Sequence, residues 1–397
     1  MNVLHIGKYF PPYRGGMETY LRDLMVALQN QSVTANALVH QSTLSLRSSE
    51  ETSTGSTAPM KITRASVWAR VLFTPISPTF PFLLRKLIKK DRCEILHLHM
   101  PNVSAFWALL LPSARRLPWV IHWHSDVLSS EHSLGLRLFY RLYRPFESAL
   151  LRRAARIIVT SQPYLESSIP LAAFKHKCTV VPLGIRPLIG DLEKEATQAT
   201  TTQKTHDGSA IDSKTDMTPL QVLAVGRLTY YKGFDFLIRA LAQTPNTLLT
   251  LVGTGEKGPE LRQLAQDLKV YERINFYGGA TEPELLALIQ GCDCLCLPSI
   301  ERTEAFGVVL LEAMSCGKAC VVSNVPGSGM GWVVSDGCTG LHATPADVVS
   351  LAEQLKSLRD NEDMTKSYGA AGSERFNQLF CIDTSAAAVA ATYRDIL

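Results

Sequence analysis

The feature that most constrains this chain is a repeated alternation. Short apolar runs rich in Val, Ile and Leu recur near 3–7, 34–40, 94–100, 118–124, 156–161 and 178–183. They recur again near 221–226, 248–253, 274–278, 293–298 and 319–323, with stretches of helical period between them. Strands divided by helices require right-handed βαβ crossovers, and therefore parallel sheets covered on both faces. With 397 residues and 46% apolar content the chain can fill two cores. The division falls at "GDLEKEATQATTTQKTHDGSAIDSKTDMTP" (190–219), which has almost nothing to bury.

The expected class is α/β, with two Rossmann-like domains facing each other across a cleft, where such folds bind ligands. The first domain spans 1–187, a flexible polar linker or insertion 188–218, and the second domain 219–380. A helix over 381–397 is expected to pack back on the first domain. The polar stretch 41–59 reads as a long surface loop.

Composition excludes several classes. No apolar run approaches the roughly 18 residues that a membrane span needs. "MNVLHIGKYF" has no cationic region before an apolar core, so no secretory signal is expected. Nine cysteines without framework spacing, three of them alternating at Cys292, Cys294 and Cys296, read as buried thiols of a reducing cytosol. Charge is uneven. Residues 1–187 hold 23 Lys+Arg against 10 Asp+Glu, a net of +13, and the remainder 17 against 26, a net of −9. Much of the excess lies in "LIKKDR" (87–92) and "LRLFYRLYRPFESALLRRAAR" (136–156), where arginines interleave with aromatics. That pattern suits an anionic membrane surface, and equally a solvated helix face. No nucleic-acid recognition motif accompanies it, so nucleic acid is not an expected partner.

"LTLVGTGEKGPELRQL" (249–264) has the Gly-x-Gly-x-x-Gly outline of a dinucleotide site. Its setting argues against one. The turn follows the second strand of its half, and the next strand, "RINFYGG", ends without a carboxylate for a ribose hydroxyl. Glu282 lies past the turn and reads as a helix start. An NAD-dependent oxidoreductase is therefore a minor alternative.

"LAVGRLTYYKGFDFLIRAL" (223–241) is more telling. A strand ends at Gly226, Arg227 follows, and Lys232-Gly233 opens a helix. Two cations beside a helix N-terminus suit a diphosphate. In "ERTEAFGVVLLEAMSCGKACVVSNVPG" (301–327), Glu304 and Glu312 lie a little over two helical turns apart, on one side of the chain. Glu312, amid apolar neighbours, needs a polar partner, and ligand hydroxyls would provide one. The amides of Phe306, Gly307, Val308 and Val309 open the helix and suit phosphate oxygens. A capping acid at Glu304 and a buried ion pair at Glu312 form the structural alternative.

Together, Gly-Arg…Lys-Gly, V-G-x-G and E-x₇-E resemble the retaining nucleotide-sugar glycosyltransferases of family 4, which have the GT-B fold. The likeness is specific over 219–345 and looser through "GKYFPPYRGGMETYLRDLMVAL" (7–28) and "VIHWHSDV" (120–127). It implies that Glu312 holds the nucleotide ribose, Arg227 and Lys232 the diphosphate, and Glu304 the transferred sugar. Gly15-Gly16 would admit the diphosphate to the backbone, and His124 would contact the sugar near its anomeric centre. The implied catalytic set is His124, Glu304, Arg227 and Lys232. Asp126 is a candidate to orient His124 or the acceptor, while His97 and His99 read as a core pair before a metal pair.

No Asp-x-Asp occurs in the chain, so no metal and no cofactor are expected, the nucleotide sugar being a substrate. "SNVPGSGMGWVVSDGCTGL" (323–341) resembles members that build bacterial O-antigen from GDP-mannose or a GDP-deoxyhexose. The expected partners are a nucleotide-sugar donor, a glycan or lipid-linked glycan acceptor and an anionic membrane surface. The expected location is cytoplasmic, peripheral on the inner face of the plasma membrane. An epimerase or phosphorylase on the same fold, and a non-catalytic sugar-binding module, are the rival readings.

Overall fold

The computed structural model describes residues 1–13, 15–53, 59–71, 74–127, 134–188 and 218–397. The linker expected over 188–218 lies almost wholly outside them. The chain forms two compact units, Met1–Ile185 with Leu379–Leu397, and Arg186–Gln378.

The first unit contains β1 (Asn2–Ile6), β2 (Thr34–His40), β3 (Ser49–Ser53), β4 (Met60–Ala65) and the hairpin β5 (Ala69–Val71) and β6 (Thr74–Ile76). It continues with β7 (Ile95–Met100), β8 (Trp119–Trp123), β9 (Arg156–Val159) and β10 (Cys178–Val180). Eight of these form one sheet in the order β10-β9-β8-β7-β1-β2-β4-β3, parallel except for β3. The order reverses between β1 and β7, which makes that edge the ligand-binding position in folds of this kind. Strands β7 and β8 are buried at every residue, as a sheet covered on both faces requires.

The sequence conceals β3. It falls within the stretch expected as a loop, and its residues SEETS carry no apolar alternation. The strand is an exposed edge held by its register on β4, from Ser49 opposite Arg64 to Ser53 opposite Met60. Charged, exposed side chains suit such an edge.

The last helix, Ile382–Arg394, belongs to the first unit. The chain returns to it where Ile185 N–H donates to Phe380 O (3.0 Å) and Ile382 N–H to Ile185 O (3.0 Å). A side chain on Gly184 would stand 2.7 Å from Cys381 O, so only glycine permits this crossing. Tyr20, on the helix Gly16–Gln29, meets Ser385 Oγ at 3.0 Å, and Tyr393 Oη meets His97 Nδ1 at 2.5 Å.

The second unit has six strands: β11 (Leu220–Val225), β12 (Thr247–Val252), β13 (Ile274–Gly278), β14 (Cys294–Leu297), β15 (Ala319–Ser323) and β16 (Gly340–Ala343). They run parallel in the order β13-β12-β11-β14-β15-β16, reversing between β11 and β14. Helix Phe234–Ala242 buries Phe234, Leu237, Ile238 and Leu241 against Val222, Ala224 and Leu251. Cys294 and Cys296 are buried, and burial pushes both thiols up. Glu282 does begin a helix, with Thr281 and Glu284 exchanging capping hydrogen bonds.

The Gly-x-Gly turn has a purely local reason. A Cβ on Gly253 would lie 1.9 Å from Gly226 O, and one on Gly255 2.4 Å from Leu228 O. The loop after β12 therefore lies backbone to backbone on the loop after β11. Leu228 N–H donates to Thr254 O at 3.0 Å and Lys257 N–H to Leu228 O at 3.0 Å. Gly279, by contrast, has open space around it. Gly253→Ala should lower unfolding stability by about 1–3 kcal/mol or more. Gly279→Ala should stay within about 0.5 kcal/mol of the parent in a urea titration.

Candidate functional site

The groups singled out in the second unit assemble at the reversal between β11 and β14. β11 ends at Gly226, and the chain passes Arg227 into the turn Tyr230–Lys232 before helix Phe234–Ala242. Gly233 stands at φ +66, and a Cβ there would lie 2.2 Å from Pro298 O, just past β14. The turn is thus pressed against the strand that carries the next motif. Ile300 N–H donates to Tyr231 O (2.8 Å), and Tyr230 Oη–H donates to Glu301 Oε2 (2.8 Å).

Lys232 is buried, its stem lying across Gly226, with Cε 3.0 Å from where a Cβ would project. Its ammonium donates to Glu304 Oε2 at 2.5 Å. The Glu304 backbone is fixed in turn, because Ser328 Oγ–H donates to its carbonyl at 2.5 Å and Gly329 N–H to Ala305 O at 2.7 Å. Gly307 follows at φ +79, with Leu297 and Leu310 filling the space a side chain would need. It precedes helix Val308–Ser315. The amides of Gly307, Val308 and Val309 meet no acceptor among the described residues, as expected of a helix start without a side-chain cap. Phe306 is buried beside Trp332. Glu312 is half-buried on the same helix, between buried Leu311 and Ala313. Arg227 is exposed, and its guanidinium has no ion-pair partner among the described residues. The edge therefore presents one unengaged cation, a fixed cation–carboxylate pair and a set of oriented amides. Such a combination can accept a phosphate group and hydroxyls.

In the first unit, Gly15 is extended at φ 177, and Gly16 begins the helix Gly16–Gln29. A Cβ on Gly15 would stand 2.2 Å from Glu18 Oε2. The first turn of that helix thus already carries a buried carboxylate of its own. His124 follows β8 and is buried, its backbone N–H donating to Met100 O at 3.0 Å. Asp126 Oδ1 accepts from Trp123 Nε1 (2.8 Å) and Ser168 Oγ (2.7 Å).

His97 and His99 are part of a larger group than a pair. His5, His97, His99, His122 and His124 lie buried on one sheet face. Burial holds all five well below the usual imidazole range, His5 and His124 down to about 3. Ring nitrogens of His5, His97 and His99, and of His99, His122 and His124, come within 4.8 Å of one another. A cation, however, must lie in the plane of every imidazole that binds it. His122 and His124 are stacked 4.4 Å apart at 0°, and His97 and His99 4.5 Å apart at 9°. Rings so stacked direct their lone pairs side by side and do not converge on one ion. Period-2 spacing at 97/99 and 122/124 signals the two rows, but His5 joins them only through β1–β7 pairing.

A further group escaped sequence reasoning. Glu147, on helix Leu134–Arg153, is buried with one carboxylate oxygen unpartnered. Burial, with Asp126 adding, raises its pKa to about 7. Nothing in the local sequence separates it from the exposed arginines around it.

Two protein families match the chain. "Glycosyl transferases group 1" covers residues 209–375, and "Glycosyl transferase 4-like domain" covers 15–184. The O-antigen chain mannosyltransferase C of Escherichia coli is 27% identical over 387 residues, covering 96% of this chain and 95% of its own. D-rhamnosyltransferase WbpZ of Pseudomonas aeruginosa is 28% identical over 263 residues, covering 66% of this chain and 64% of its own. The fold matches that of sucrose-phosphate synthase from Thermosynechococcus elongatus, with a TM-score of 0.77, 22% identity, and 100% and 98% of the two chains covered. Anabaena HepE, solved with UDP and glucose, gives a TM-score of 0.71 at 22% identity over both full chains.

The Lys232–Glu304 pair is nearly desolvated, so removing one partner strands the other. Lys232→Met and Glu304→Gln should each cost about 1–3 kcal/mol of stability. The double variant should lose less than the two losses added, by at least about 1 kcal/mol in a denaturation cycle. Simple additivity would mean that the pair is not formed.

Proposed function

The chain belongs to the family 4 glycosyltransferases of GT-B fold, and from that premise we propose what it transfers and how. The reaction moves a hexose of mannose type from a nucleoside diphosphate to a glycan or lipid-linked glycan in cell-surface polysaccharide synthesis. The relatives named as O-antigen mannosyl- and rhamnosyltransferases support this substrate class. The observation that carries the reading is the sheet edge itself: unengaged Arg227, Lys232 clasped to Glu304, and open amides at 307–309.

In this reading Arg227, Lys232 and the amides from Phe306 to Val309 hold the diphosphate, and the family resemblance assigns Gly15-Gly16 to the donor as well. Glu312 takes the ribose hydroxyls and Glu304 the sugar hydroxyls, and His124 meets the sugar near C1. The bond between C1 and the phosphate oxygen breaks as negative charge builds on the leaving diphosphate. Fixed cations and helix-end amides stabilise that charge without a metal. The acceptor oxygen bonds to C1 on the face the diphosphate leaves, and its proton passes to the departing phosphate oxygen, so configuration is retained.

Melting in the presence of GDP, UDP, ADP and dTDP tests the donor. GDP should raise the midpoint most, by a shift worth about 2.7 kcal/mol at a hundredfold excess over Kd. Arg227→Ala should shrink that shift and lower turnover about 10²–10³-fold. If no nucleotide protects the protein, the reading fails. If UDP alone does, the mannose-type donor does.

The acceptor side includes a membrane. No described helix is long and apolar enough to cross a bilayer, but three neighbouring segments of the first unit expose large apolar groups beside cations. In sequence Phe82 lies close to Arg85 and Lys86, Trp107 and Leu110 precede Arg115 and Arg116, and Leu142 and Phe146 flank Arg144, with Arg141 just before. Phe106 stacks on Phe146 at 5.3 Å, which joins two of these segments. An anionic interface accommodates both components. Leu142→Ser with Phe146→Ser should reduce sedimentation with anionic vesicles several-fold at low salt, whereas neutral vesicles should bind neither protein.

A further inference from the structure

The segment after β15 braces the turn that carries Glu304. Arg302 Nε–H donates to Gly327 O at 3.3 Å, Ser328 Oγ–H to Glu304 O at 2.5 Å, and Gly329 N–H to Ala305 O at 2.7 Å. These three hydrogen bonds join residues 302–305 to 327–329. Ser328, Gly329 and Ala305 are buried, so a bond broken there strands a polar group away from water.

The brace has a far end. Gly329 precedes the short helix Met330–Val333, and its carbonyl accepts from Trp332 N–H (3.0 Å) and Val333 N–H (2.9 Å). The carbonyls of Trp332 and Val333 close that helix, where intrahelical donors run out. Arg375, on the helix Glu362–Leu379, supplies both donors: Nη2–H to Trp332 O at 2.7 Å and Nε–H to Val333 O at 3.1 Å. The same guanidinium lies over the Trp332 ring, 5.5 Å from its centre, and that ring meets Phe306 at 6.4 Å. One constraint therefore runs through the segment. The planar fork of Arg375 fixes two adjacent carbonyls, the amides of those two residues hold the Gly329 carbonyl, and the Gly329 amide holds Ala305. Lysine can serve one such carbonyl at a time, and methionine neither. Gly307 is fixed differently, by Leu297 and Leu310, and does not depend on the brace.

We propose that Arg375 is a positioning residue that, from outside the site, sets the Glu304 turn for the sugar part of the donor. The inference rests on the transferase reading for the identity of the ligand, whereas the brace itself belongs to the free protein. Its signature is a division of effect. Losing the brace frees residues 302–305, and with them the carboxylate assigned to sugar hydroxyls. Arg227, Glu312 and the amides at 307–309 remain in place to hold the nucleotide.

Hydrogen exchange in the ligand-free protein tests the brace. Arg375→Met should speed exchange of the Gly329 amide about tenfold, with Arg375→Lys between it and the parent. Unchanged exchange in Arg375→Met would overturn the proposal. Binding of GDP and of GDP-mannose tests the positioning. Arg375→Met should weaken GDP-mannose about tenfold and leave GDP at its parental affinity, with Arg375→Lys recovering part of the loss. A merely structural role would lower the melting point and affect both ligands alike, and that result would overturn the assignment. Ser328→Ala removes a bond at the near end of the brace without touching the helix Glu362–Leu379. It should show the same division between the two ligands, and equal effects there would overturn the proposal even if Arg375→Met does not fold. A parent protein that binds neither GDP nor GDP-mannose would remove the proposed donor instead, and exchange at Gly329 would still decide the brace.

Discussion

The constraint on which the second unit depends is backbone approach at one sheet edge. Four glycines let chain segments touch where side chains would hold them apart: Gly253 on Gly226, Gly255 on Leu228, Gly233 on Pro298, and Gly307 over Leu297. Each contact joins a loop that carries chemistry to a neighbour that does not move independently of the sheet. The loop after β11 is held on one side by the loop after β12 and on the other by the end of β14. Arg227 and Lys232 are thereby placed at the reversal of strand order, and the Glu304 turn is brought to the same place from the other strand. Without these approaches the same residues would lie on separate loops with no shared geometry.

Electrostatics then divides the two cations. Lys232 is buried and already paired, so its desolvation is met before any ligand arrives, and it can act as a fixed positive charge with little reorganisation. Arg227 is exposed and keeps its solvation until something displaces the water. A guanidinium presents a planar fork that matches two phosphate oxygens at once, whereas an ammonium is a compact point charge. The arrangement places the point charge on the carboxylate and leaves the fork for an anion. Glu304 gains from the same pairing, because a carboxylate held by one ammonium retains lone pairs for hydroxyl donors.

Much of this was legible in the sequence. The alternation of apolar runs located eleven strands, and the glycines and charges at 226–233 and 301–312 located the edge, because parallel-sheet folds carry their chemistry in the loops at strand ends. Five strands stayed hidden. β3 is polar, β5 and β6 have three residues each, and β4 (MKITRA) and β16 (GLHA) lack a continuous Val, Ile and Leu run. β4 and β16 take their places by parallel pairing with β2 and β15, which no local pattern encodes. The histidine series was half visible. His97/His99 and His122/His124 show their two-residue period, but His5 stands alone on β1 and is recruited by strand order. Glu147 left no signal, since its depth depends on how one helix packs.

The glycine outline at 253–258 bears on how such patterns are read. A Gly-x-Gly turn after a parallel strand states that something comes too close for a Cβ, and it does not say what. In a dinucleotide site the close neighbour is a pyrophosphate. Here it is the carbonyls of Gly226 and Leu228, at distances that leave room for nothing else. The turn that receives the contact is the one bearing Arg227 and Lys232, so the glycines support an anion site from one loop away. The position of the outline within the domain, after the second strand and not the first, separates the two cases because of those two strands the first alone adjoins the reversal. Strand order decides whether the same spacing faces a ligand or another stretch of main chain.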